Sequence, residues 1–316
     1  MNDPRFVRMR WEVAPSDVGP GKKWCRFAKG GDFSRLYSDV YLVVQWDDQA
    51  HSEYAKREGN FNVLLTSSRD KYLYRSGLTW PRAASVFNVR LMPSDCIFAD
   101  KGPVVFPHND TTMTMFLAAV LNSSVALYLL KCLTSRESMG GRWEVGLVKR
   151  LPIPAPTIDQ SFALGALAKS IWDSKAAWDE CNEISSSFRM PWLLCRAFIG
   201  DSRSVSARLD RVVAFEASEN HRIQSWYSKL NDIVYELYGI PGDVRAELEE
   251  SLGACQPEVL WPQMSSKTPE QKRVELVWRL LSFAVKRVVE ADEDGITPFL
   301  GIPHKAMTTC GGGRED

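Results

Sequence analysis

Several chemistries are missing from this sequence. Its seven cysteines (25, 96, 132, 181, 195, 255 and 310) include no C-x-x-C pair, and its four histidines (51, 108, 221 and 304) stand far from one another with no carboxylate or histidine at ligand spacing. Those absences exclude a zinc ribbon or finger, and an odd cysteine count argues against a disulfide framework. No glycine loop has the spacing that cradles a nucleotide phosphate; Gly19-Pro-Gly-Lys-Lys23 reads as a turn. Nothing resembles a nucleophile elbow or a Cys–His pair. Asp47-Asp48, which looks like a metal-binding pair, reads as a solvated turn at a strand end. The first residues, Met1-Asn-Asp-Pro-Arg5, lack the apolar core of a signal peptide. With the cysteine usage, this predicts a reducing, cytoplasmic setting with buried or inert thiols.

Long hydrophobic runs are almost as scarce. Met113 to Leu133 is the exception, and it is broken by Asn122-Ser-Ser124 and carries Lys131. A span needs about 20 uninterrupted apolar residues, so this stretch predicts a core helical hairpin, with the polar triplet capping its second helix, or one kinked helix. There is no Pro-Pro dipeptide anywhere, which excludes the Asn/Asp-Pro-Pro-Tyr/Phe loop that holds a flipped base during amino-methylation. No complete catalytic constellation is present.

What the chain does have is a globular composition and a division in character. It has 316 residues, 45% hydrophobic and 25% charged, and its net charge of zero hides an asymmetry. Residues 1–154 carry 21 Lys and Arg against 15 Asp and Glu, whereas residues 155–316 carry 18 against 24. The first half therefore suits a polyanion better than the second. Strand-like runs occur at Tyr41–Trp46, Asn62–Leu65, Lys71–Tyr74, Phe87–Leu91 and Val104–Phe106, punctuated by Gly and Pro. Leu151-Pro-Ile-Pro-Ala-Pro156 forbids helix and forms an extended connector. Beyond it, apolar spacing of helical period covers Gln160–Glu183 (with Asp159 as a cap), Ser204–Tyr238 and Pro269–Asp292. The expectation is an α+β chain. A mixed, mostly antiparallel twisted sheet domain fills residues 1–155, a mainly α-helical spacer or docking domain residues 156–300, and a flexible tail 301–316.

Between Arg5 and Arg90, basic residues interleave with aromatics, among them Lys22, Lys23, Trp24, Arg26, Lys71 and Tyr72. Arginine reads base edges, lysine neutralises phosphates and aromatics stack on bases, so the pattern suits nucleic acid.

Five segments in order carry a resemblance. They are Lys22-Lys-Trp-Cys-Arg-Phe-Ala-Lys-Gly-Gly-Asp-Phe-Ser-Arg35, Val43-Val-Gln-Trp46, Tyr74-Arg-Ser-Gly-Leu-Thr-Trp80, Leu121-Asn-Ser123 and Leu151-Pro-Ile-Pro154. Together with Leu230–Gly239 and Leu281–Val285, they resemble the region C-terminal to the catalytic domain of large adenine-specific DNA methyltransferases of the PglX and type IIG kind. Those proteins serve phage defence (BREX) or restriction–modification. Two positions depart from the pattern: Cys25, where an aromatic is expected, and Thr134-Ser-Arg136, where Asn-Pro-Thr is usual. The resemblance implies that the catalytic domain lies upstream of residue 1. It further implies that this chain binds double-stranded DNA sequence-specifically for an adenine-N6 methyltransferase. S-adenosylmethionine would then be held by the catalytic partner and not by this chain. Other defence-system proteins are implied as partners, and no membrane is. The candidate DNA-contacting residues are the turn Lys29, Gly30 and Gly31, with Arg35, Tyr37, Arg75, Trp80, Arg82, Arg90, Lys149 and Arg150. A docking module without DNA specificity is the alternative reading, and a nuclease a more distant one.

Overall fold

A computed structural model describes residues 3–55, 71–98, 101–107, 111–134 and 142–292. Short strands fill the first third. β1 (Val7–Met9), β3 (Leu42–Gln45), β2 (Trp24–Ala28) and β6 (Cys96–Phe98) form one sheet in that order. It is antiparallel except where β2 meets β6, with Phe27 opposite Ile97. A second, antiparallel sheet has the order β5 (Arg90–Met92), β4 (Gly77–Thr79), β7 (Val104–Val105). The mixed, mostly antiparallel pairing is thus shared between two small sheets. Their strands are two to five residues long, too short for a period-2 pattern to announce them.

Some local expectations change for identifiable reasons. Lys71–Tyr74 is a turn and not a strand, because Tyr74 adopts a positive φ of 59°, incompatible with a ladder. Asp47 is a helix cap and not a solvated turn: its carboxylate accepts from the Ala50 N–H at 2.9 Å and starts α1 (Asp48–Ala55). Asn62–Leu65, Cys310 and the 301–316 tail lie outside the described residues. Cys25, Cys96 and Cys181 are buried as expected, but Cys132 and Cys255 are exposed.

The apolar run becomes α2 (Thr111–Leu121) and α3 (Ser124–Leu133), bent by 64° at the break. Ser123 caps α3 by accepting from the Ala126 N–H at 3.2 Å. Asn122 uses its whole amide, accepting from Val89 N–H and donating to the Val89 and Ala118 carbonyls, each at 2.8 Å. It thereby fastens the bend to the strand region. Phe116, Val120, Val125 and Leu130 are buried in the core. Among the described residues no single helix is long and apolar enough to cross a membrane.

Three long helices follow. α4 (Ile158–Asp179) begins with a capping box in which Thr157, not Asp159, is the cap and Gln160 reaches back. α5 (Val205–Leu237) is capped by Ser204 and ends before Gly239, whose φ is 63°. After α6 (Gly242–Leu252), Thr268 and Gln271 box the start of α7 (Pro269–Glu290). One continuous hydrophobic core runs from Leu36 and Trp80 through α2–α5 to Leu276, and so passes across the proline connector at 151–156. A smaller core, with Phe27, Val44 and Ile97, lies under the first sheet. Trp178, Trp192 and Trp261 pack with ring centroids 4.9–5.6 Å apart, and Arg279 of α7 lies over two of them.

Helix α7 is apolar on two faces. Leu276 faces the core, yet Val274, Trp278, Leu281, Val285 and Val288 form a stripe that is about half exposed, with Trp278 at 65%. The alternating spacing of four and three residues is that of a helix-pairing seam.

Candidate nucleic-acid interface

The eleven sequence-selected residues separate into two groups. Lys29, Gly30 and Gly31 form a turn directly after β2, with φ of 89° and 138° at the glycines. A Cβ on Gly30 would lie 3.2 Å from the Lys101 carbonyl and 3.5 Å from Pro81, so the turn packs backbone to backbone on the neighbouring loops. Arg82 follows in the same layer. Its N–H donates to the Lys101 carbonyl at 3.1 Å, its carbonyl accepts from Trp143 N–H, and its half-exposed guanidinium pairs with Glu144 at 2.8 Å. Ala83 bridges to Arg142. Lys29, Arg82, Lys101 and Arg142 therefore sit on adjoining loops, each side chain at least partly at the surface. Lys101 and Arg142 were not legible in the sequence; each neighbours glycine but belongs to no basic–aromatic run. Arg75 lies over Tyr72 and Phe106 at 6.0 and 5.8 Å, partly exposed. Lys149 and Arg150 are exposed just before the proline connector.

The second group is drawn inward: Trp80, Arg35 and Arg90 are buried and Tyr37 is partly exposed beside a cleft, which corrects the expectation that these side chains present an open surface to bases. Trp80 is 2% exposed and donates its indole N–H to the Trp143 carbonyl at 2.8 Å. It is a core residue, as its fully matched hydrogen bond requires. Tyr37 donates to Asp179 at 2.8 Å and stands edge-on to Trp172. Burial, then the Asp179 charge, hold its phenol well above the usual tyrosine range, so it remains a neutral hydrogen-bonding group. Arg35 is 2% exposed between Phe33 and Tyr227, donates to the Gln256 carbonyl at 3.3 Å and pairs with Glu258 at 3.7 Å. Lys175 of α4 joins the same carboxylate from the other side. Arg35 has no surface left for a base; it is a clamp between the strand region and the helices. Arg90 is 5% exposed beneath Gly31, where burial pulls its guanidinium down to about 10.

A cleft of about 230 Å³ opens between the glycine turn and α4. Asp32, Asp39 and Asp179 line it alongside Trp178 and Trp261. Asp39 is engaged by Ser186 and Arg26, and burial raises the Asp179 carboxyl above its ordinary value. Among the described residues no three His, Cys, Asp or Glu side chains are grouped to hold a metal.

No protein-family model matches the chain. Over 262 residues, 79% of its length, it is 22% identical to the adenine-specific methyltransferase PglX of Lacticaseibacillus casei (strain Zhang). Over 184 residues, 55% of its length, it is 26% identical to the adenine-specific methyltransferase BrxX of Escherichia coli O9:H4 (strain HS). It spans 20% and 14% of the lengths of those proteins. Among solved structures, the type IIL restriction-modification enzyme MmeI in complex with DNA superposes with a TM-score of 0.45 at 15% identity, covering 76% of this chain and 32% of that one.

Proposed function

From its sequence relationship to adenine-specific methyltransferases, we propose that this chain supplies double-stranded DNA recognition for an adenine-N6 methyltransferase of a phage-defence or restriction–modification system. The observation that carries this is the basic rim formed by Lys29, Arg82, Lys101 and Arg142 on adjoining loops around the glycine turn. Surface cations on loops held by a rigid scaffold neutralise phosphates and fix register, while loop side chains reach base edges. Methylation requires the target base to leave the stack. Residues 1–155 would grip the duplex beside that base, and residues 156–300 would hold the grip in place. S-adenosylmethionine and the chemistry belong to the catalytic portion, and the complex works in the cytoplasm. Binding of the purified chain to randomised duplex DNA, with selection and a salt titration, tests this. Enrichment of a short motif, with affinity falling steeply as salt rises, is the expected result. Affinity that ignores salt would refute it.

The docking reading has an observation of its own, the exposed seam of α7. Its occupant on this reading is the remainder of the methyltransferase, because this chain spans a fifth or less of its relatives. Trp278→Glu should abolish co-purification with the catalytic portion and leave DNA affinity intact; unchanged co-purification removes the seam from the interface.

A further inference from the structure

Arg90 poses a problem that its own partners do not solve. It is 95% buried, yet among the described residues no carboxylate lies within ion-pair distance. Its Nη2 reaches only the Asp32 carbonyl, at 3.2 Å, and its Nε has no partner. Directly across the β4–β5 ladder stands Thr79, equally buried, whose hydroxyl is also unpartnered. Residues paired across two strands present their side chains on one face. Both side chains line a notch of about 20 Å³, together with Lys29, Gly30, Asp39 and Tyr41. Asp32 and Glu258 act on Arg90 only at a distance, and a buried cation without a directly paired carboxylate, like a buried hydroxyl without an acceptor, costs free energy. Two such donors on one notch make it a site suited to an acceptor.

The occupant follows from the donors. Nε–H and Oγ–H both donate, the cation favours negative charge, and the volume admits a single oxygen atom. The Asp39 carboxylate on the rim does not compete, since the Ser186 N–H at 2.8 Å and the Ser186 hydroxyl occupy it, with Arg26 beyond. Gly31 keeps a side chain away from Arg90, since a Cβ there would press to 3.3 Å from Nη1, and Gly30, in the lining of the notch, holds a φ that other residues avoid. We propose that Thr79 and Arg90, beneath the Lys29–Gly31 turn, form a seat for one oxygen of a phosphate group, supplied by the DNA backbone. The source of that phosphate rests on the DNA-recognition reading; the seat itself does not. Arg90 then acts from within, neutralising a phosphate whose oxygen reaches down past the glycines, and never touches a base.

Thr79→Val tests this, because it keeps the shape and removes only the hydroxyl. As that hydroxyl is unsatisfied, the variant should unfold at the same denaturant concentration as the parent or a higher one. Its affinity for a mixed-sequence duplex at low salt should nevertheless fall about ten-fold, the worth of one hydrogen bond to a charged oxygen. Duplex binding equal to the parent's overturns the seat and leaves the recognition reading standing, the notch then holding water only. Should the parent bind no duplex, the recognition reading falls, and thermal unfolding in sodium phosphate decides the seat. Stabilisation of the parent that is lost in Thr79→Val keeps it as a site for free phosphate. No stabilisation, or equal stabilisation of both, overturns it.

Discussion

The Arg35–Glu258–Lys175 cluster makes a quantitative prediction. Glu258→Gln removes the one negative charge from a site where all three side chains are at most 2% exposed, so solvent screening provides no relief. Breaking a buried pair from one side costs about 3–5 kcal/mol, because the stranded cation keeps its desolvation penalty. Several interactions survive. Lys175 retains the Ser34 hydroxyl at 2.6 Å and the Arg35 carbonyl at 3.2 Å, while the new amide oxygen can still accept from the Arg35 N–H. The lower end applies, about 3 kcal/mol, or a fall of roughly 4–5 °C in the thermal midpoint for a chain of this size. The pH dependence has a definite sign. Burial already holds Lys175 below the ordinary lysine value of 10.5, with Glu258 opposing the shift. Without that carboxylate it drops further. The unfolded chain then binds a proton that the folded chain resists, so the deficit is full below the lowered value and closes as pH climbs from there toward 10.5. Urea unfolding followed by tryptophan fluorescence, which the buried Trp178, Trp192 and Trp261 make sensitive, measures both effects. Adding Lys175→Met should restore part of the loss by removing one stranded charge. A Glu258→Gln variant within about 1 kcal/mol of the parent, with no pH dependence, would refute a dry, charged cluster.

Other expectations are simpler to state. Asn122→Ala removes three buried hydrogen bonds at the α2–α3 bend and should cost about 3 kcal/mol in chemical denaturation, with Val89 losing amide protection first. Arg35→Ala should lower stability by a similar amount by breaking the pair with Glu258, and leave the affinity per folded molecule for DNA unaltered. Lys149→Ala with Arg150→Ala, both exposed, should leave the unfolding midpoint in place and flatten the salt dependence of duplex binding by about one unit for each phosphate no longer neutralised.

Local signals in the sequence translate well. The polar triplet at 122–124 marks the bend, and the apolar periodicity sets the starts of α4 and α7 to within two residues, although the caps are Thr157 and Thr268 and not Asp159. Long-range chemistry does not translate. Arg35 and Glu258 lie more than two hundred positions apart, and an arginine in a basic–aromatic stretch looks the same whether it meets DNA or a buried carboxylate. Trp80 and Arg90 mislead for the same reason: the partners that bury them come from other loops. Lys101 and Arg142 escape a reading of the sequence because adjacency of loops is a property of the fold and not of neighbouring residues.

The core that runs across the proline connector limits how this chain can be recombined. Sequence would invite a cut near residue 155, exchanging the strand-bearing part between relatives to transplant a preference for one site. Such a graft would separate Arg35 from Glu258 and the α2–α3 bend from Asn231, which receives the Ser124 N–H at 2.7 Å. The exchangeable unit is therefore discontinuous: the first 155 residues together with the strip around 253–263 and the facing edge of α5. Chimeras that move the strip along with the strands should fold, and those cut only at the prolines should arrive as insoluble protein.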